Sequence, residues 1–210
     1  TRHAFATKIG LGIEGHAHSM ALSLPFATLS DRRAYGVSVA TGNSLRRLYA
    51  GGAVSHKYHD AHGAIRLWLA RSYGDRIKLR PSVHLSLSRR RFAPAEDYTY
   101  APTNRNLTTP SLGLVIWRPA YRRDRYIHDL GPLEDMQTGS LLALRWGFAH
   151  SALGSDRTFS FYQIHLAPRW EPSRRSYGQV TLFANTRLDG RSFFNLYALG
   201  SAALYVRVGR

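Results

Sequence analysis

The stretch IKLRPSVHLSLS, Ile77–Ser88, sets Ile77, Leu79, Pro81, Val83, Leu85 and Leu87 on one parity and Lys78, Arg80, Ser82, His84, Ser86 and Ser88 on the other. Side chains alternate across an extended backbone, so strict period two predicts a strand with one apolar and one polar face. The run is longer than the roughly 5–6 residues usual for strands of soluble domains. It matches the roughly 9–11 tilted residues that carry a strand across a bilayer's hydrocarbon.

The same period recurs on both sides. Phe5, Thr7, Ile9, Leu11 and Ile13 share a parity opposite Lys8, Gly10, Gly12 and Glu14. Met20, Leu22, Leu24 and Phe26 follow, then Tyr35, Val37 and Val39, then Ile65, Leu67 and Leu69. Segment 45–57 alternates only faintly. After a long polar stretch over 92–109, expected to be a loop, strands recur near 111–121, 139–150, 158–170, 177–187 and 192–207. The last sets Phe194, Leu196, Ala198, Ala202, Leu204 and Val206 against Asn195, Tyr197, Ser201, Tyr205 and Arg207. Ten or eleven strands are expected, with no helix, no linker and no domain boundary.

Alternation alone does not say which face is inside, because a soluble barrel shows the same period with its apolar face inward. Three features favour the membrane. The strands are long. Their polar parity carries Gly, Ser, Asn, Tyr and Arg rather than dense Lys and Glu, as a water-filled lumen would. Aromatic residues collect near strand ends (Tyr98, Tyr100, Tyr121, Tyr126, Trp170 and Tyr177), as in the interfacial girdles of outer-membrane barrels.

The 210 residues hold 29 Lys and Arg against 13 Asp and Glu, a formal net charge of +16. Such a balance points to a polyanionic partner: nucleic acid, anionic lipid or the phosphates of lipopolysaccharide. With no cysteine there is no disulfide framework and no thiol chemistry. No apolar run approaches the roughly 18 residues of a membrane helix, a test blind to strands. The chain opens on Thr1, and a processed or cropped chain is expected.

Two arginine clusters stand out, Arg89-Arg90-Arg91 after the decisive strand and Arg122-Arg123-Asp124-Arg125 after another. At a barrel rim their guanidinium forks would match lipid phosphates. A solvated rim is the plainer reading, and nucleic-acid binding is a third, which would want arginines and aromatics interleaved on one exposed face. His56, His59 and His62 beside Asp60, with His16 and His18, raise a metal site. Their spacing is read as crossing a turn, so a polar loop is preferred and no metal or cofactor is expected. His84 between Ser82 and Ser86, and His150 before Ser151, are the nearest approach to a nucleophile and base. Neither sits in a nucleophile-elbow context, and no enzyme is expected.

From Arg122 to Arg157 the resemblance is more specific. RRDRYIHDLGPLEDMQTG, followed by SLLALRWGFAHSALGSDRTFSFYQIHL, resembles the central barrel region of bacterial surface-antigen outer-membrane proteins of the BamA/TamA superfamily. The matching features are the arginine-rich turn, the acidic pair Glu134-Asp135, the strand opened by Gly139, and the turn Leu153-Gly154-Ser155-Asp156-Arg157. The resemblance covers roughly forty residues closely and the rest only as alternating strands. It implies a 16-stranded barrel that inserts or exports proteins at the outer membrane, commonly preceded by POTRA modules. The family's Arg-Gly-(Phe/Tyr) loop tip does not occur here, and the chain does not end on the aromatic residue typical of outer-membrane barrels. The expectation is therefore that these residues are the first ten or so strands of a longer barrel.

Taken together, residues 1–210 are expected to form a single all-β domain, an antiparallel up-and-down transmembrane β-barrel. About 10–12 strands are expected in this chain, and the resemblance implies that they are part of a 16-stranded barrel. The expected site is the bacterial outer membrane, the expected role insertion, secretion or translocation of proteins. The expected partners are outer-membrane lipid or lipopolysaccharide and client proteins, with no nucleic acid. The alternatives are a lipid-modifying barrel enzyme or small pore, and a soluble basic β-protein that binds nucleic acid.

Overall fold

The computed structural model describes residues 3–12, 14–125, 133–173 and 176–206; the side chains of 124–125 and 133–136 lie outside the description. Among the described residues the chain is all-β, its one helical turn being a 3-10 turn at Ser151–Leu153. Strands β1 (Ala4–Gly12), β2 (Gly15–Leu24), β3 (Arg33–Ala50), β4 (Ala53–Arg71), β5 (Lys78–Pro94) and β6 (Arg105–Trp117) follow one another as antiparallel neighbours. A separate two-stranded ribbon, β7 (Tyr121–Arg125) with β8 (Leu133–Gln137), interrupts the meander. It resumes as β9 (Leu141–Ala149), β10 (Phe159–Ala167), β11 (Arg169–Ser173), β12 (Ser176–Asp189) and β13 (Ser192–Val206). The main sheet has 11 strands; β10 and β11 run end to end along one edge of β12, and β13 pairs its other edge.

The sheet is not closed. β1 pairs only with β2 and β13 only with β12 among the described residues, so the two outer strands do not meet. The barrel expectation is thus met in its coarser part, an antiparallel up-and-down all-β sheet.

Four boundaries differ from the sequence reading. Segment 45–57 is the top of a long hairpin in which β3 has 18 residues and β4 has 19. Gly51 and Gly52, at φ +59° and +83°, make its turn, in a backbone region that costs other residues. The loop expected over 92–109 is shorter than that: β5 continues through Pro94 and β6 begins at Arg105, with Arg90 opposite Arg105, so the connection is 95–104. Apolar alternation fades in both places because both faces are polar there, while the backbone ladder continues. The strand expected over 111–121 ends at Trp117, and the one over 158–170 breaks at Pro168, which has no N–H for the ladder.

Burial shows which face is inside. Along β5, Leu79, Val83 and Leu87 are exposed while Arg80, Ser82, His84, Ser86 and Ser88 are half-buried and Lys78 is buried. In β3, Ala34, Gly36 and Gly42 are buried and Tyr35, Val37 and Val39 are exposed. A flat sheet would expose both faces alike, so the sheet curls toward its polar face. No Leu, Ile, Val, Met, Phe or Trp among the described residues is buried; the buried apolar side chains are alanines and Tyr177. A soluble domain of this length folds around buried aliphatic residues, and this one is the reverse.

Candidate functional site

The register builds a continuous apolar belt on the outer face. One hydrogen-bonded row runs Tyr35, Leu69, Val83, Leu112, Trp146, Tyr162, and the next runs Pro81, Leu114, Leu144, Ile164, Ala184, Ala198. Leu112 is 54% exposed and Leu182 47% in the middle of this sheet, where a soluble protein would place polar groups. Along β5 the belt from Leu79 to Leu87 spans about 26 Å at the usual rise per residue, close to the apolar band of a membrane barrel before tilt is counted.

Polar residues form the inner wall. Small residues make the curl sterically possible, and rings take the space beside them: a Cβ on Gly36 would sit 2.5 Å from Trp68 Nε1, and one on Gly147 2.6 Å from Phe161. Arg80, Arg145 and Arg187 point inward and are braced by rings. The Arg80 guanidinium lies 4.2 Å from the Phe26 ring and 4.8 Å from Trp117, Arg145 5.7 Å from Phe161, and Arg187 5.0 Å from Phe159. Arg145 also donates through Nε and Nη2 to Ser111 Oγ at 3.1 and 3.0 Å. Beside it His84 Nε2 lies 3.0 Å from Ser82 Oγ. Among the described residues no carboxylate bonds His84, so no third group completes a nucleophile and base relay.

The two arginine clusters lie at opposite ends of the sheet. Arg89, Arg90 and Arg91 sit at the upper end, toward the β3–β4 turn, while Arg122, Arg123 and Arg125 belong to β7, beyond the lower end of β6. Alternation also divides the upper trio. Arg89 and Arg91 share the outer parity of Leu85 and Leu87 and stand directly above the belt. Arg90 turns inward, donating to both oxygens of Asp60 with Nε–Oδ1 at 3.2 Å. Asp60 is 1% exposed and also has Arg46 Nε at 3.7 Å. In β7, Arg122 is half-buried and Arg123 exposed. The Arg125 side chain lies outside the described residues.

The histidine run is not in a turn, as the spacing had suggested; it lies within β4. His56 and His62 face inward with Asp60, His59 faces outward, and His56 packs against Tyr100 at 4.7 Å. Asp60 is already held by two arginines, and no metal-binding group of His, Asp or Glu occurs among the described residues. His16 and His18 sit opposite Leu11 and Ile9, on the outer face of β2.

The family-like turns have definite structural work. Ser155, buried, accepts from Thr108 N at 2.9 Å and donates to Thr108 O at 3.1 Å, while Asp156 accepts from Asn106 N at 2.5 Å and donates its own N–H to Asn106 O at 3.0 Å. β9 pairs β6 only over 111–117, so this turn satisfies the edge that β6 exposes above it. Gly154, at φ +80°, caps the preceding 3-10 turn. Gly139 does not open a strand; it forms the neck of the β7–β8 ribbon, where a Cβ would lie 1.7 Å from Arg118 O. The backbones of Glu134 and Asp135 pair with Asp124 and Arg123, and their side chains lie outside the described residues.

Aromatic residues mark the two ends unevenly. Tyr35, Tyr73, Tyr121 and Trp170 are exposed toward the lower end, whereas Tyr177 is buried and stacked on Tyr205 at 4.5 Å. Tyr98 and Tyr100 lie in the upper β5–β6 connection, and Tyr126 falls outside the described residues. Ion pairs also gather above the belt. A hydrogen bond from Arg47 holds the Glu14 carboxyl below its ordinary range, and one to Glu96 raises Lys57. No family of known proteins, no curated protein and no solved structure matches the chain.

Proposed function

We propose that this chain forms wall strands of a bacterial outer-membrane β-barrel whose work is the insertion or translocation of proteins. The observation that carries the membrane part is the inverted polarity of the sheet. Its exposed outer face is a belt of Leu, Ile, Val and aromatic side chains, and its sheltered face is Ser, His, Gly and Arg. In water that arrangement leaves the hydrophobic effect unused; in hydrocarbon it is the arrangement of lowest cost. Arg89 and Arg91, directly above the belt, are placed to bond lipid phosphates at the outer rim.

Two features support the protein-handling part. One is the resemblance over Arg122–Arg157. The other is that the outer edges of β1 and β13 have no strand partner among the described residues, because an edge ladder can accept a further strand. The test uses the full-length chain in a Gram-negative host. The protein should fractionate with the outer membrane, require detergent for extraction, and migrate faster on SDS gels before heating than after. Its depletion should leave other outer-membrane or secreted proteins unassembled. Monodisperse protein recovered without detergent would defeat the membrane reading. Normal assembly and secretion after depletion would defeat the protein-handling reading alone.

A further inference from the structure

The inner wall has a charge arrangement that the barrel reading does not by itself require. Arg80 near the lower end, Arg66 and Arg145 midway and Arg187 near the upper end lie on the inner parity of four strands. Between the two rims that face carries one acid among the described residues, Asp60, and it is bonded to Arg90 with Arg46 beside it. Arg80, Arg145 and Arg187 are steadied by aromatic rings and, for Arg80 and Arg145, by the hydroxyls of Ser72 and Ser111. Rings and hydroxyls position a guanidinium without neutralising it. A wall that needed only rigidity could have used carboxylates, as the upper rim does with Glu14 and Glu96.

The middle of the ladder resembles a binding station. Arg145 spends Nε and Nη2 on Ser111, and its remaining N–H groups meet no protein acceptor among the described residues. Ser111 is paired across the ladder with His84, and His84 with Ser82, so two hydroxyls and an imidazole surround the guanidinium. Gly113, opposite Arg145 and Ser82, leaves the room that the Ser82 hydroxyl takes: a Cβ there would lie 2.4 Å from Ser82 Oγ and 3.5 Å from His84 Nε2. Every group there can donate a hydrogen bond, and none is a carboxylate.

From this we propose that the inner wall conducts water-borne oxyanions, and that Arg145, with Ser111, Ser82 and His84, binds them in transit, Arg66 adding to the field. The ligand class is a small phosphate- or carboxylate-bearing solute. It reaches the site from the aqueous side, because this face is turned away from the apolar belt. The proposal rests on the barrel reading for its path, but the binding station does not.

Two measurements on the full-length chain separate the parts. In planar bilayers under a potassium chloride gradient, the reversal potential should show chloride preferred over potassium, and inorganic phosphate should reduce the chloride current. Arg145→Gln should weaken the phosphate effect roughly ten-fold or more, as expected for losing a charge-assisted donor. Arg66→Gln, on an exposed side chain whose loss leaves the Ser111 contact intact, should lower chloride preference without abolishing the channel. Equilibrium binding of inorganic phosphate to the folded protein in zwitterionic detergent should show the same Arg145 dependence, and Arg145→Lys should restore part of it. A channel that prefers potassium, or phosphate binding indifferent to Arg145, overturns the anion proposal and leaves the barrel standing. Phosphate binding that depends on Arg145 in a protein soluble without detergent overturns the barrel reading and the conduction path with it, and leaves the binding station standing.

Discussion

Replacing Leu144 by arginine tests the polarity of the sheet at one atom-sized point. Leu144 lies midway along the outer parity of β9, with Leu142 below, Trp146 above, and Leu114 and Ile164 on the flanking strands. It is 41% exposed to the surroundings of the isolated sheet. If those surroundings are water, a long cation costs little there, within about 0.5 kcal/mol as for most surface changes. If they are hydrocarbon near the midplane, arginine costs about 2–4 kcal/mol. At about 1.4 kcal/mol per factor of ten, the ratio of folded to unfolded protein then falls roughly thirty- to thousand-fold. Ala143→Asn supplies the control, because Ala143 is half-buried on the inner parity between Val115 and His165. It should stay within about 0.5 kcal/mol. The assay is reversible folding of the full-length chain into phospholipid vesicles by denaturant titration. Equal midpoints for the two variants, or a greater loss for Ala143→Asn, would refute the assignment of faces.

Four further outcomes follow from particular contacts. Arg90→Ala leaves buried Asp60 with only the distant Arg46, and should cost about 1–3 kcal/mol; a double-mutant cycle with Asp60→Asn should recover most of it. Ser155→Ala strips both Thr108 backbone groups of their partner, and hydrogen exchange at Thr108 should accelerate with little change at Leu114. Gly139→Ala forces the ribbon neck apart and should sharply lower the yield of folded protein, whereas Gly190→Ala, at φ +60° in open space, should cost only about 1–2 kcal/mol. Hydrogen bonds from Thr28, with the Ala27 N–H, hold the Asp31 carboxyl below its ordinary range, so its contribution is full above that range and lost as pH falls through the lowered value. Asp31→Asn should remove that acid-side step from a pH titration of stability.

The belt was legible in the sequence because Leu alternating with Ser leaves no other period to read. Strand ends above the belt were not, since Arg46, Arg47, His56, Lys57 and Arg89–Arg91 are polar on both faces and only the ladder defines them. Bulges at Leu48/Tyr49 and Asn185/Arg187 also reset parity without a local signal. The direction of curl had a sequence signal that alternation alone overlooked. Ala34, Gly36, Gly42, Ala70, Gly113 and Gly147 all fall on the polar parity, and a curled sheet puts its smallest residues on the inside. The split of Arg89–Arg91 into two outward and one inward needed only the period. The bond from Arg90 to Asp60 needed the register, which places residues 30 apart side by side.

Open edges turn the membrane proposal into a demand on its surroundings. β1 and β13 each present a row of N–H and C=O groups with no partner among the described residues. In water such a row is hydrated at little cost. In hydrocarbon each unsatisfied group costs several kcal/mol, so an edge of even five residues would exceed the roughly 5–15 kcal/mol that stabilises a typical domain. An inverted, belted sheet with two bare edges is therefore stable in a bilayer only beside further strands, whether from the same polypeptide or from a strand it is handling. The same edges that forbid this sheet from standing alone in lipid are what would let a barrel of this kind admit another strand. The membrane half of the proposal thus rests on the inverted polarity of the sheet, and the open edges bear on the protein-handling half.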